Sequence, residues 1–116
     1  MEEFPEFMKN RKNLIKRSSQ FTKDIEGYVF DGADGSQMAF WTCYEDRTSS
    51  EHAHDFDEYV VCVHGRYTVP MNGDVVILNP GDELFIPRGV VHGGESVAGT
   101  RTIHAFGGTR AEREDG

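Results

Sequence analysis

The stretch His52-Ala53-His54-Asp55-Phe56-Asp57-Glu58-Tyr59-Val60-Val61-Cys62-Val63-His64-Gly65 decides how the rest of the chain is read. Alternate side chains of a strand share a face, so His52 and His54 aim their imidazoles at one point. Glu58 is in phase with them across an Asp-Phe-Asp spacer that can bulge or turn. Imidazole nitrogen suits iron, nickel, copper and zinc, while a carboxylate adds charge and suits manganese as well. The pattern supplies three ligands and wants a fourth.

A candidate fourth stands downstream, in Gly81-Asp82-Glu83-Leu84-Phe85-Ile86-Pro87-Arg88-Gly89-Val90-Val91-His92. Pro87 fixes its own φ and Gly89 accepts conformations that other residues resist, so the chain reverses and His92 opens the next strand. His92 meets the first three residues only if the strands face each other across a closed barrel.

The two stretches resemble the paired signature motifs of the cupin superfamily. The first, G-x5-H-x-H-x3,4-E-x6-G, is matched at His52, His54, Glu58 and Gly65, with Asp46 in place of its opening glycine. The second, G-x5-P-x-G-x2-H-x3-N, is matched at Gly81, Pro87, Gly89 and His92, with Ser96 in place of its closing asparagine. Both departures fall on positions that bear on loop geometry and are not metal ligands in the family. The resemblance implies an all-β fold, a double-stranded β-helix or jelly-roll barrel. It also implies one divalent transition metal ion (Fe, Mn, Ni, Cu or Zn) held by His52, His54, Glu58 and His92.

Composition limits the rest. The 116 residues suffice for one domain, and no apolar run is long enough to span a bilayer. The first residues, Met1-Glu2-Glu3-Phe4-Pro5, lack the basic and apolar regions of a secretory signal, so a cytoplasmic location is expected. A formal net charge of −8 disfavours nucleic acid and anionic membranes as partners, while the resemblance implies a small-molecule ligand or substrate. Cys43 and Cys62 read as two reduced core thiols.

Along the chain, residues 1–24 form an N-terminal arm, a helical turn or an edge strand; the resemblance implies a homodimer, for which the arm's apolar residues offer a contact surface. Residues 25–108 hold the barrel strands. Ile25 to Phe30 reads as one, and Gln37 to Glu45 as another, with Phe40, Thr42 and Tyr44 on one face and Ala39, Trp41 and Cys43 on the other. Residues 46–51 read as a polar loop, Asn72-Gly73 as a tight hairpin turn, and Asp74 to Leu78 as a very apolar strand. Leu84-Phe85-Ile86 reads as short and buried, His92-Gly93-Gly94 as a bend, and Thr100 to Phe106 as the last strand. Residues 109–116 are charged and read as a disordered tail.

Beyond the four ligands, His104 and Tyr44 are the candidate catalytic residues. His104 serves as a general base or as a donor to a ligand if it faces inward, and Tyr44 as a proton-transfer group at an apolar pocket. Arg47, Arg66, Arg88 and Arg101 are each able to hold a substrate carboxylate, and Asp55 and Asp57 to orient a ligand. His64 lies too far along its strand. The expected function is a metal-dependent small-molecule enzyme, a dioxygenase, isomerase, decarboxylase or lyase acting on an oxygenated organic substrate. The alternative is a metal-containing ligand-binding or sensor module without catalytic activity, since fold alone does not choose between them.

Overall fold

The computed structural model describes residues 2–17 and 24–114. Nine strands form two antiparallel sheets: β1 (Ile25–Asp31), β2 (Gln37–Cys43), β3 (Arg47–His52), β4 (Glu58–His64), β5 (Tyr67–Met71), β6 (Asp74–Leu78), β7 (Glu83–Ile86), β8 (His92–Ser96) and β9 (Arg101–Phe106). One sheet has the order β1-β2-β9-β4-β7 and the other β3-β8-β5-β6. This is the all-β jelly roll that the motifs implied.

Period-two alternation explains how the interior is filled. On β4, Glu58, Val60 and Cys62 point inward while Tyr59, Val61 and Val63 point out. Val60 and Cys62 join Val69, Leu78 and Ile86 in an apolar cluster that fills one end of the sandwich. Around the other end lie Ile15, Val29, Ala39, Trp41, Phe106 and Ala111. Ala39, Trp41 and Cys43 are therefore the inward face of β2. Its outward Phe40 is buried under Phe4 of the N-terminal arm, with ring centroids 4.7 Å apart. The arm holds no α-helix among its described residues, but two 3-10 turns at Glu6–Met8 and Arg11–Asn13 and bridges from Leu14 to Tyr28 and from Ile15 to Arg113.

Two turns show why particular residues recur in the motifs. Asn72 and Gly73 both take positive φ (54° and 78°) and close the expected hairpin between β5 and β6. Gly65 has φ of 82°, and a side chain there would meet the Thr100 hydroxyl at 2.5 Å, so the motif glycine is required twice over.

Several readings of the sequence are corrected. Residues 47–52 form a strand, not a loop: β3 is an edge strand that pairs with β8 through Arg47–Ser96, Thr48–Glu95, Ser49–Gly94 and His52–His92, with a bulge between Ser49 and His52. Its polar composition reflects the edge position and hides the strand from a search for apolar alternation. The second stretch read as a bend, His92-Gly93-Gly94, is the buried start of β8, where the lack of a side chain on Gly94 lets the Tyr67 ring lie against the backbone. On β6 and β7, Val75, Ile77 and Phe85 are more than half exposed, because alternation turns them to the outer faces of the two sheets.

The expected disordered tail is also revised for its described part. Gln37 accepts from the backbone N–H groups of Arg110 (2.7 Å) and Ala111 (3.0 Å) and donates to the Ala111 carbonyl (3.1 Å). Ala111 is 3% exposed, and Arg113 donates to Asp31, Asn13 and the Val29 carbonyl. A single alanine and a buried glutamine anchor the segment, a signal too weak to stand out among charged neighbours. Cys43 and Cys62 are free and buried, as expected. Among the described residues, no helix is long and apolar enough to cross a membrane.

Candidate metal centre

β3 and β8 belong to one sheet, β4 and β9 to the other, and the four converge at one end of the sandwich. His52 and His92 are directly paired across β3 and β8. Their ring centroids lie 4.4 Å apart, and the His54 ring lies 4.7 Å from that of His52. One ring nitrogen from each of His52, His54 and His92 falls within 4.8 Å of the others. Glu58 reaches the same place from the opposite sheet: its Oε1 lies 3.3 Å from Nε2 of both His54 and His92. The four residues named by the motifs are thus brought together.

Two features make this a fit for a cation. His52 Nδ1 lies 3.0 Å from the Ser50 carbonyl, and His92 Nδ1 lies 3.0 Å from the Val90 carbonyl. A carbonyl only accepts, so each Nδ1 carries the proton and each Nε2 is the lone-pair nitrogen, the form in which imidazole ligates a metal. In addition, His54 Nε2 and Glu58 Oε1 are buried side-chain atoms without a hydrogen-bond partner. Buried polar atoms are rarely left in that state, and a divalent ion between them would satisfy both.

The electrostatics agree in direction. Burial alone would raise the Glu58 carboxyl pKa, but the ring nitrogens of His104, His54 and His92 outweigh it and hold the group well below the usual carboxylate range. Burial lowers the pKa of His52, and the neighbouring His92 and His54 add to that. For His92, burial acts downward, yet the contact with Glu58 and the Val90 carbonyl raise it overall. An ionised carboxylate among imidazoles is the charge state that a metal ligand set needs.

The remaining sequence candidates divide. His104 faces inward and is 6% exposed. Its Nδ1 donates to Glu58 Oε2 at 2.9 Å, and its Nε2 accepts from the Thr102 hydroxyl at 2.9 Å. Tyr44 is a correction: it is 50% exposed, does not line the cavity, and its neighbours are Glu26, Glu3 and Lys9. It follows the inward Cys43 at the end of β2 and so continues the outer face. His64 is exposed and bonds the Gly99 carbonyl. Asp55 pairs with Arg88 (2.9 Å) and Asp57 accepts from the Arg88 backbone, so both shape the turn before β8. Arg66 is exposed, and Arg101 is buried under the arm with its guanidinium 4.9 Å from the Phe4 ring centroid. Of the four arginines singled out, Arg47 alone lines the cavity.

That cavity, ≈60 Å³, is bounded by the ligand set together with Ile25, Trp41, Cys43, Ser49, Tyr67, Thr102, Phe106 and Arg110. At about 15 Å³ for each water-sized group, it takes roughly four. Arg110 was not visible in the sequence, because the segment carrying it reads as a tail. Tyr67 and Thr102 were missed for a simpler reason, that inward parity on β5 and β9 is known only once the sheets are assembled.

A family profile described as the cupin domain matches residues 40–106, more than half of the chain. The chain belongs to the cupin family. Among solved structures, it is similar to an RmlC-like cupin from Shewanella frigidimarina, with 21% identity over 99% of this chain and 98% of that one and a TM-score of 0.71. It is also similar to KdgF from Halomonas sp., with 19% identity over 83% of this chain and 86% of that one (TM-score 0.68). A third is the polyketide cyclase RemF from Streptomyces resistomycificus, with 20% identity over 74% and 65% (TM-score 0.61). At these identities the likeness is one of fold. A search of curated proteins found no match.

Proposed function

We propose that this chain is a metal-dependent enzyme acting on a small oxygenated organic molecule, with His52, His54, Glu58 and His92 as ligands of one divalent transition metal ion. The observation that carries it is the pair of buried atoms without a hydrogen-bond partner, His54 Nε2 and Glu58 Oε1, 3.3 Å apart beside two histidines whose Nδ1 each faces a backbone carbonyl. The ion would supply Lewis acidity and a template for an oxygen ligand. The chain's own residues do the rest. His104 holds Glu58 Oε2 through Nδ1–H and so directs Oε1 toward the three imidazoles. Thr102 fixes the His104 tautomer from the other side. Trp41, whose ring stands edge-on to His104 at 4.9 Å, and Phe106 exclude water around that pair. His104 thereby acts as a positioning residue, and to serve as a base it has to release Thr102. Oxygenation, isomerisation, decarboxylation and lyase chemistry all lie within reach of such a centre.

A metal-containing binding module without catalysis is the second reading. It is supported by the engagement of both His104 nitrogens and by the location of Tyr44 outside the cavity. The test begins with metal analysis of protein purified without affinity nickel, beside His52→Ala. Near-stoichiometric iron, manganese, nickel, copper or zinc, lost in the variant, is expected. Equal trace metal in both proteins would refute the ligand set. Prolonged incubation of the loaded protein with a bound ligand then separates the two readings, since a binding module returns it unchanged.

We also infer a homodimer. Phe30, Met38, Ala105, Tyr59 and Phe85 are register neighbours in turn across all five strands of one sheet. Four of them are exposed, from 37% for Tyr59 to 56% for Phe85, an apolar row with no cover among the described residues. Light scattering tests this, and a monomeric mass would refute it.

A further inference from the structure

Two guanidinium groups, Arg47 from β3 and Arg110 from the C-terminal segment, line the cavity that holds the metal ligands. Arg47 Nε is buried without a hydrogen-bond partner, and Nη1 donates at 3.3 Å to Cys43 Sγ, a weak acceptor. Arg47 makes no ion pair among the described residues. Arg110 lies with its guanidinium 5.5 Å from the Trp41 ring centroid, a planar stacking surface for its charge. Burial lowers its pKa while Glu58 and Tyr67 raise it, so these groups share one electrostatic neighbourhood. Both guanidiniums also act on the Tyr67 hydroxyl, which burial pushes above its ordinary pKa. Among the described residues, Glu58 is the only carboxylate lining this space, and the ligand reading gives its charge to the ion. The cavity thus carries excess positive charge even before a divalent cation is counted, within a chain of formal net charge −8. Arg47, whose Nε is buried and which makes no ion pair among the described residues, is a costly charge in that position, so the site is built for an anion that arrives from solution.

We propose that the substrate is a small carboxylate-bearing molecule, its carboxylate held by Arg47 and Arg110 and a neighbouring carbonyl or hydroxyl oxygen directed to the metal position, a refinement that rests on the metal-site reading above. Planar, forked donors match a carboxylate better than they match a lone hydroxyl. The ≈60 Å³ of enclosed space fits the polar head of such a molecule and leaves a longer chain to project toward solvent.

The test uses the full-length, Mn²⁺-loaded protein and two probes that differ in charge: pyruvate, and its neutral methyl ester. Binding is read by titration calorimetry and by the loss of water-proton relaxivity when a Mn²⁺-bound water is displaced. Pyruvate should bind at least roughly tenfold tighter than the ester. Arg47→Gln and Arg110→Gln should each remove most of that preference while leaving Mn²⁺ content and ester affinity unchanged. The wild-type comparison needs no variant and so does not depend on either one folding. Equal affinity for the two probes at full Mn²⁺ occupancy would overturn this proposal alone. So would variants that lose both probes equally. Failure of the wild-type protein to take up Mn²⁺ or any other divalent ion would overturn the metal-site reading, and this one with it.

Discussion

Glu58→Gln is the substitution that separates a ligand from a merely buried carboxylate. In wild type, Glu58 Oε2 accepts from His104 Nδ1 at 2.9 Å, and Oε1 faces His54 and His92 Nε2 at 3.3 Å each. Glutamine keeps the shape: its carbonyl takes the His104 proton, and its amide N–H groups meet the imidazole lone pairs, one of which is otherwise without a partner. In chelator the variant should therefore be no less stable than wild type, because it removes a buried charge and adds a donor. With metal the sign reverses. An ion at 100 times its Kd stabilises the native state by about 2.7 kcal/mol. For a domain of this size that is about 10 °C in Tm, at roughly 4 °C per kcal/mol. Removing the ligand charge should weaken binding on the order of 100-fold, which leaves about 0.4 kcal/mol and about 2 °C at the same metal concentration. Differential scanning fluorimetry of both proteins, in chelator and with Zn²⁺ or Mn²⁺, gives the four temperatures required. A metal-dependent shift that survives intact in Glu58→Gln would refute the ligand role. A loss of more than about 3 kcal/mol in chelator would show the carboxylate to be a structural acceptor instead.

Other perturbations probe the frame around the site. Gly27→Ala places a methyl group into the Trp41 indole and against Ile15, and should cost about 1–3 kcal/mol of stability in urea. Trp41 is the chain's single tryptophan, so its emission should shift in the same variant. Gln37→Leu removes the acceptor of the Arg110 and Ala111 N–H groups and should cost on the order of 3 kcal/mol, with earlier proteolytic loss of the C-terminal segment as a second readout. Leu78→Ala, at a site 2% exposed, should cost about 2–5 kcal/mol by chemical denaturation without changing metal content. Hydrogen bonding from Gln37, then from Arg113, lowers the Asp31 pKa. Its stabilising contribution is present above the unfolded carboxyl pKa and lost as pH falls through the depressed folded value, and Arg113→Gln should flatten that part of the stability–pH curve.

The ligand set was legible because its spacing is local: His52, His54 and Glu58 sit on alternate positions around β3 and β4, and His92 follows a turn whose proline and glycine announce it. The closed jelly roll was legible through the same motifs. What stayed hidden depends on contacts between sheets. β3 was missed since an edge strand that faces water and a polar cavity has no apolar rhythm. Tyr44 was misassigned because alternation groups residues by face without saying which face is inward, and the burial of Trp41 and Cys43 puts Tyr44 outside. The hydrogen bond of His104 to Glu58 joins residues 46 positions apart, a pairing that the β4–β9 register creates. Arg110 was overlooked because its segment is tied down by Gln37, a residue 73 positions earlier.

That last attachment divides the molecule's chemistry along its length. The family match spans residues 40–106 and contains the proposed ligands, His104 and Arg47. Arg110 lies beyond it, on a strap fastened from outside by Gln37 and Arg113. Under the carboxylate proposal, substitutions in residues 107–114 would alter one of the two guanidinium contacts while leaving all four proposed ion ligands untouched.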